Sequence, residues 1–361
     1  MNAIAVVVCV VLGSAWPVGA ATVLVAVNGV DSAACGTKTA PCRSIGEAID
    51  RAAAGDTISV GPGRYGDLDG NGTLTGPGEE TGSAAVGPGI FILKRLTLLS
   101  RDGAGETVLD FGNATSLGND VNGVTIAANG VVFGKPKKGF TITRVGSNAV
   151  GVRILDIADG VHVAGNRVID VAGTAFGVDG VEQVVEGNRA FGSTIGFDVD
   201  GARHSIRGNL GVRNGVGFRV AGTGHLVQQN AASANNIGIS INGSTHRIEQ
   251  NVVTGSRFEG FFLGANGSTF TKNSSLANDR GMLIEGVDAG TLTVTQNNLI
   301  GNLNCGIETN LISGGTVLAP QNFWGAASGP GLDPADEACG VVANPFATKE
   351  IKVRAKLKPA D

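Results

Sequence analysis

Aromatic residues make up only 5% of this 361-residue chain, with one Tyr and two Trp beside 14 Phe. Charged residues are sparse as well, at 16%, and the formal net charge is −4. That balance gives no broad field for nucleic acid or an anionic membrane surface, so no nucleic-acid partner is expected. Long apolar runs are missing. The one apolar stretch near the start, residues 3–15, is too short to span a bilayer. It reads as the centre of a secretory signal over residues 1–20, with the small residues Val18-Gly19-Ala20 before a cleavage point near Ala21. No Lys or Arg precedes the run, so only the amino terminus supplies its positive charge. Cys9 lies inside it without a small residue before it, which argues against a lipid anchor. No membrane span is expected in the mature chain.

Removing that segment leaves Cys35, Cys42, Cys305 and Cys339, an even number that fits an oxidising compartment. Cys35 pairs with Cys42 across a short loop holding Gly36 and Pro41, and Cys305 with Cys339, pinning a C-terminal segment to the body. Free structural thiols are the alternative. Zinc is disfavoured by the spacings.

What the chain has in abundance is glycine, 58 residues, together with Val, Ile and Asn, a composition of short strands joined by tight turns. Asn recurs at positions 166, 188, 209, 230, 251, 273, 297 and 322, mostly 21 or 22 residues apart. An apolar residue precedes most of them by three: Val163, Val185, Ile206, Val227, Ile248, Phe270 and Val294. A second landmark is Gly followed by apolar-x-apolar, starting at Gly196, Gly217, Gly238, Gly260, Gly281 and Gly306. Period-2 alternation is a strand with one buried face. A repeat near 21 residues is one turn of a solenoid, whose coils must stack to bury that face. A leucine-rich repeat lacks its Leu consensus here, and a propeller blade needs about 40 residues. The fold class expected is all-β, a single-stranded right-handed parallel β-helix. The Asn column, and a second one at Asn214, Asn235, Asn278 and Asn302, are structural amide ladders, each Asn taking αL geometry at a turn.

The chain resembles the right-handed β-helix repeat proteins of the pectin-lyase-like fold group over most of residues 22–358. The resemblance rests on Pro41-Cys42-Arg43-Ser44-Ile45, Gly55-Asp56-Thr57-Ile58 and Gly61-Pro62-Gly63-Arg64-Tyr65 at one end. At the other it rests on Asn322-Phe323-Trp324-Gly325 and Ser328-Gly329-Pro330. It implies the fold, but no one activity, because the group mixes polysaccharide lyases, hydrolases, epimerases and adhesins. The repeat pattern is also similar to a periplasmic β-helix family associated with copper delivery to nitrous oxide reductase.

The domain plan expected is a signal over 1–20, an N-terminal cap and first strand over 21–66, and a calcium loop over 67–82. Coils follow over 83–325, then a C-terminal cap with a basic edge strand over 326–361. Ser44-x-x-Glu47 is a capping box opening a helix over about 44–54 that plugs the core. In the tail, Ile351, Val353, Ala355 and Leu357 alternate with Lys352, Arg354, Lys356 and Lys358. Lys on an edge strand blocks aggregation, and it also offers an anchor for an acidic polysaccharide.

Three groups could carry chemistry. The Gly register predicts an outward column Arg153, Asp179, Asp198, Arg219, Ser240, Phe262, Leu283 and Glu308, with Asp200 beside it. Asp179, Asp198, Asp200 and Arg219 are the candidate catalytic residues: paired carboxylates act as acid and base, and Arg neutralises a uronate. The plain alternative is a solvated charge ladder. His204, His225 and His246, also 21 apart, should stack; imidazoles bind copper or zinc, or simply hydrogen-bond to the neighbouring coil. Asp67, Asp69, Asn71 and Thr73 have the spacing of a calcium loop, with Glu79 reaching the last ligand position through a bulge.

The function expected is a non-catalytic extracellular or cell-surface scaffold that binds carbohydrate, as a monomer, with calcium as a structural ion. A lyase, hydrolase or epimerase acting on an acidic glycan is the alternative, and a periplasmic copper accessory protein the third reading.

Overall fold

The computed structural model describes residues 19–81, 88–116, 119–311, 316–331 and 334–355. The expected signal segment up to residue 18 and the tail positions Lys356, Leu357 and Lys358 lie outside them. Three parallel sheets of 11, 10 and 11 strands run the length of the molecule. One coil shows the plan. Ser205–Arg207 lies in the first sheet, Leu210–Val212 in the second and Val216–Val220 in the third, and the chain re-enters the first at Leu226–Gln228. The chain is thus an all-β parallel solenoid, and its only α-helix among the described residues is Ile45–Arg51.

Side chains pointing inward stack like on like. Val163, Val185, Ile206, Val227, Ile248, Phe270 and Val294 form one buried row of the first sheet. In the third sheet Phe176, Phe197 and Phe218 stack with ring centroids 4.8 and 4.6 Å apart. The landmark glycines are demanded by this stacking. A Cβ on Gly217 would lie 2.5 Å from the Gly238 carbonyl oxygen and 2.9 Å from the Asn235 amide nitrogen.

The main Asn ladder is buried throughout. The Asn230 side-chain oxygen accepts from the Asn209 backbone N–H and amide, both at 3.0 Å. Its amide donates to the Ile206 carbonyl at 2.8 Å and to Asn251 at 3.1 Å. Each Asn thereby fills the donor and acceptor gaps of a corner where the backbone leaves the sheets. The αL geometry, however, belongs to the residue before each Asn: Gly187, Gly208, Gln229, Gln250 and Lys272 have φ between 57° and 63°. That residue makes the corner, and the Asn satisfies it. The second ladder runs Asn214 to Asn235 and, above an interruption at Ser256, Asn278 to Asn302. Asp336 ends it, accepting from the Asn302 amide at 2.6 Å and its N–H at 3.1 Å.

Helix Ile45–Arg51 buries Ile45, Ala48 and Ile49, with Ser44 accepting from the Glu47 N–H. It is shorter than the 44–54 expected. Ala52 is already extended, and the Asp56 carboxylate takes the N–H groups of Ala53 (2.8 Å) and Ala21 (2.7 Å), pulling the chain into the first sheet. The other half of the capping box is replaced. Glu47 pairs with Arg51, the Ser44 N–H goes to Asp31 at 2.9 Å, and Glu80 receives the N–H groups of Ile45 and Gly46, both at 2.8 Å.

At the far end Trp324 is fully buried, and Ala338–Cys339 adds the last strand of the third sheet. Both disulfides pair as expected, Cys35–Cys42 and Cys305–Cys339. The tail corrects its expectation: residues 351–355 form no edge strand. They cross the outer face of the second sheet as a strap. The Asn298 side chain donates to the Ile351 carbonyl and accepts its N–H, both at 2.8 Å. Arg354 and Ala355 lie over the earlier coils at Gly187, Gly208 and Ala231. Ile351, Val353 and Ala355 are half-buried while Lys352 and Arg354 are exposed. The alternation seats a strap across the coils instead of guarding an edge.

Candidate functional site

The outward column of the third sheet is Arg153, Gly177, Asp198, Arg219, Ser240, Phe262, Leu283 and Glu308 in register. Gly177 stands where Asp179 is expected. Ala175 occupies the landmark glycine position of this coil, so reading Gly177 as the landmark shifts the register by two. Asp179 instead follows the strand Thr174–Val178, one coil from Asp200, which follows Ile195–Val199. Asp179 and Asp200 share a shallow cavity of about 400 Å³ with Arg153, Leu155 and Asp156. Burial raises the Asp179 carboxyl above its ordinary range; Arg153 opposes this, and Asp198, Asp200 and Asp156 add to it.

Asp198 belongs to a different arrangement. Arg219 clamps it through two hydrogen bonds of 2.6 and 2.5 Å. Higher on the same sheet Arg280 bridges Glu259 and Glu308, each at 3.1 Å. Of the four catalytic candidates, two are therefore tied to each other and two stand over the cavity. Phe262 is half-buried, whereas Leu283 is 9% exposed and offers no stacking platform. The connections flanking this face are short, 179–183, 200–204 and 221–225 on one side and 192–194, 213–215 and 234–236 on the other.

The three histidines form a stacked column, ring centroids 4.7 and 4.9 Å apart, each about 1–2% exposed. Nδ1 of His204, His225 and His246 accepts the backbone N–H of Gln183, His204 and His225, all at 3.1 Å. Nε2 faces the carbonyl oxygens of Asp200, Ala221 and Asn242 at 2.7, 2.6 and 2.9 Å. The rings are thus neutral with the proton on Nε2. Burial holds His225 down to about 4 and lowers His204 and His246 as well. A metal would have to displace a backbone hydrogen bond to reach any of these nitrogens. Gln183 begins the column and Ser268 ends it; neither is legible as a ladder member, because neither is a histidine.

The loop after the strand Gly63–Gly66 brings Asp67, Asp69 and Glu79 together, with one oxygen of each within 4.8 Å of the others. Asp67 is fully buried and accepts from Gly70 (2.7 Å) and Gly72 (3.2 Å). Glu79, 3% exposed, accepts from Leu68 at 2.8 Å and Gly76 at 2.6 Å. Asn71 turns to Thr73, whose N–H and hydroxyl both lie 2.7 Å from its oxygen. A Cβ on Gly112 (φ 62°) would lie 1.9 Å from an Asp67 oxygen, so only glycine lets the 112 turn close over the loop. Such an all-oxygen set suits a hard cation.

Several solved structures share this fold. A rhamnogalacturonan lyase matches over 92% of this chain and 89% of its own, with a TM-score of 0.58 and 12% identity. The lacto-N-biosidase of Eubacterium ramulus matches over 91% and 67% (TM-score 0.55, 13% identity). The A-module of a mannuronan C-5 epimerase from Azotobacter vinelandii matches over 83% and 90% (TM-score 0.50, 12% identity). At such identities the likeness is one of fold. No curated protein sequence matches the chain. The model of one family, described as periplasmic copper-binding protein (NosD), matches residues 122–329, which is more than half of the chain. These are the coils that carry the Asn ladder, the histidine column and the third-sheet charges, and by them the chain belongs to the NosD family.

Proposed function

We propose that the protein is a non-catalytic carbohydrate-binding scaffold working outside the cytoplasm. The observation that carries this reading is the bare third sheet. The short connections on both sides of Asp179, Asp198 and Asp200 raise no walls around them, whereas acid–base catalysis on a glycan depends on a site that excludes water and fixes its dipoles. The Asp198–Arg219 clamp supports it, since neither group is left to abstract or deliver a proton. The two disulfides fit an oxidising compartment. No helix among the described residues is long and apolar enough to cross a membrane.

The family description names copper, and the donor set does not fit it. Copper favours imidazole and sulfur. Among the described residues the column histidines use both nitrogens, His162 holds Glu186 at 2.9 Å, Met282 is buried in the core, and the four cysteines are in disulfides. The Asp67–Asp69–Glu79 cluster offers oxygen alone and is assigned to calcium in a structural role. Catalysis on an acidic glycan is the competing reading, and the raised Asp179 carboxyl beside Asp200 favours it. Affinity electrophoresis through gels containing pectate, alginate or neutral polysaccharide separates binder from non-binder. Retardation by at least one polymer is expected, and unretarded migration in all of them removes the reading.

A further inference from the structure

At the corner between the first and second sheets the later coils turn in two residues, as at Gly165-Asn166, Gly187-Asn188 and Gly208-Asn209. The coil below them takes seven, 134–140, between the strands Val132–Phe133 and Thr141–Val145. Its neighbours close without the extra residues, so the solenoid does not require them. They bring in Lys135, Pro136, Lys137 and Lys138, all exposed.

The insertion is firmly held. Its ends are Gly134 and Gly139, where a Cβ would lie 2.3 Å from the Ala164 carbonyl oxygen and 1.9 Å from that of Gly165. The Ser100 hydroxyl donates to the Gly139 carbonyl at 2.5 Å, and the Asn166 side chain accepts the Phe140 N–H at 3.0 Å. The Lys138 N–H reaches the Lys135 carbonyl at 2.8 Å and closes a turn. Pro136 at its second position and φ 65° at Lys137 in its third make it a type II turn, whose third position calls for glycine. A lysine there carries a backbone penalty that glycine would not.

Elsewhere on the outer faces charges meet their opposites: Glu182 with Arg203, Glu186 with Arg207, Glu259 with Arg280, and Asp110 with both Arg64 and Arg144. None of the three lysine side chains in the turn has a hydrogen bond or an ion pair among the described residues. The adjacent corner supplies Arg101 and Asp102, which hold each other at 3.0 Å, and an exposed Glu106. Lysine charge therefore stays in excess at this tip.

We infer that the turn 135–138 is a docking surface for an acidic polysaccharide, its three ammonium groups meeting carboxylates spaced along one polymer chain. The inference rests on the carbohydrate-binding reading and gives it a charge class and a place. Charge complementarity carries it. An ammonium group is a point charge without the fork that grips a single carboxylate. One sugar acid thus gains one contact, whereas a polymer engages all three lysines at once. A turn already fixed in shape lowers the ordering that binding demands.

Affinity electrophoresis of the full chain through pectate, at about 0.01 M and about 0.15 M salt, tests it; screening shortens from about 30 to about 8 Å between the two. Replacing Lys135, Lys137 and Lys138 together by Gln should weaken binding about tenfold at the lower salt, and the difference should shrink at the higher. Replacing Lys38, Lys349 and Lys352 together by Gln removes the same charge from exposed positions elsewhere and should leave affinity near that of the parent. Lys137→Gly should weaken binding without lowering the melting temperature, which separates loss of contact from loss of fold. Pectate affinity unchanged in the 135–137–138 variant overturns the surface, and leaves the broader reading standing while any polymer still binds. Equal loss in the 38–349–352 variant overturns it too, since net charge would then suffice. So does lysine-dependent binding to phosphatidylglycerol vesicles with pectate unbound. Unretarded migration in every polysaccharide, neutral ones included, removes the broader reading as well.

Discussion

The ladder asparagines hold the molecule together in a way that no apolar residue could copy. Asn230 serves the Asn209 N–H, the Ile206 carbonyl and the amides on either side. Asn230→Ala strands a buried donor and a buried acceptor, each costing about 1–3 kcal/mol, so a loss of about 3–5 kcal/mol is expected in urea unfolding. The residue before each Asn gives the opposite prediction, and so do the αL positions before the second ladder. Ala234, at φ 54°, pays for a left-handed backbone that glycine adopts freely. Ala234→Gly should stabilise by about 0.5–1 kcal/mol, the αL penalty being partly offset by glycine's greater entropy in the unfolded chain. The Asn positions are legible because a fixed side chain at a fixed interval leaves a period in the sequence. Which residue of the corner is left-handed is not, since Gly, Gln and Lys all fill that place and share no chemistry.

The histidine column titrates at the same scale. Its rings are held neutral by burial, below the ordinary value near 6.5, with His225 down to about 4. Protons therefore bind the unfolded chain first. The stability from the neutral column is fully present above pH ~6.5 and is lost as pH falls toward 4. Glu80 works in the other direction. Burial raises it to about 7, so its contribution is present below pH ~4.5 and lost as pH rises toward 7. The melting temperature should fall from pH 6.5 to 5, and Glu80→Gln should make that fall steeper. A flat profile in both proteins contradicts the neutral column.

At the scale of elements, the loops carry what the repeat does not. The helix is readable from its box and its apolar spacing, but its end depends on Asp56 reaching back to Ala53 and Ala21, and its start on Glu80. Contacts across 35 residues, Asp56 to Ala21 and Glu80 to Ile45, leave no local mark in a sequence. The register of Asp179 escapes the repeat for another reason: Ala175 stands in place of the landmark Gly, so the next Gly, Gly177, shifts the inferred register by two residues. The strap looks like a strand in the sequence because period-2 alternation reports a segment with one buried side and is silent about what covers it. For the loop at Asp67, calcium should raise the melting temperature of the protein and should do nothing for Asp69→Ala. No effect of calcium on the parent protein removes the ion. Removing the Asn298 amide should loosen the strap: in Asn298→Ala, hydrogen exchange at Ile351 should speed up while the ladder amides keep their protection.

Taken whole, the molecule is a rigid column of coils whose outer faces differ by sheet. The third presents acidic groups interleaved with Arg153, Arg219 and Arg280 between short flanks, and the second is crossed by a strap that carries Lys352 and Arg354. Such a column offers a repeating surface to a repeating polymer. The fold is written in the sequence because every coil restates it. The sites are not, because each occurs once, and spacing alone can bring Asp67, Asp69 and Glu79 together but cannot separate Asp179 from Asp198. Binding without turnover is the claim on which the functional reading stands. The measurement that reaches it most directly is prolonged incubation with pectate, alginate and neutral polysaccharides, with and without calcium, following unsaturated-product absorbance and new reducing ends. Retention of polymer with neither signal above a protein-free control is the predicted result. Product formation that disappears in Asp179→Asn or Asp200→Asn would contradict it and make the third sheet an active site.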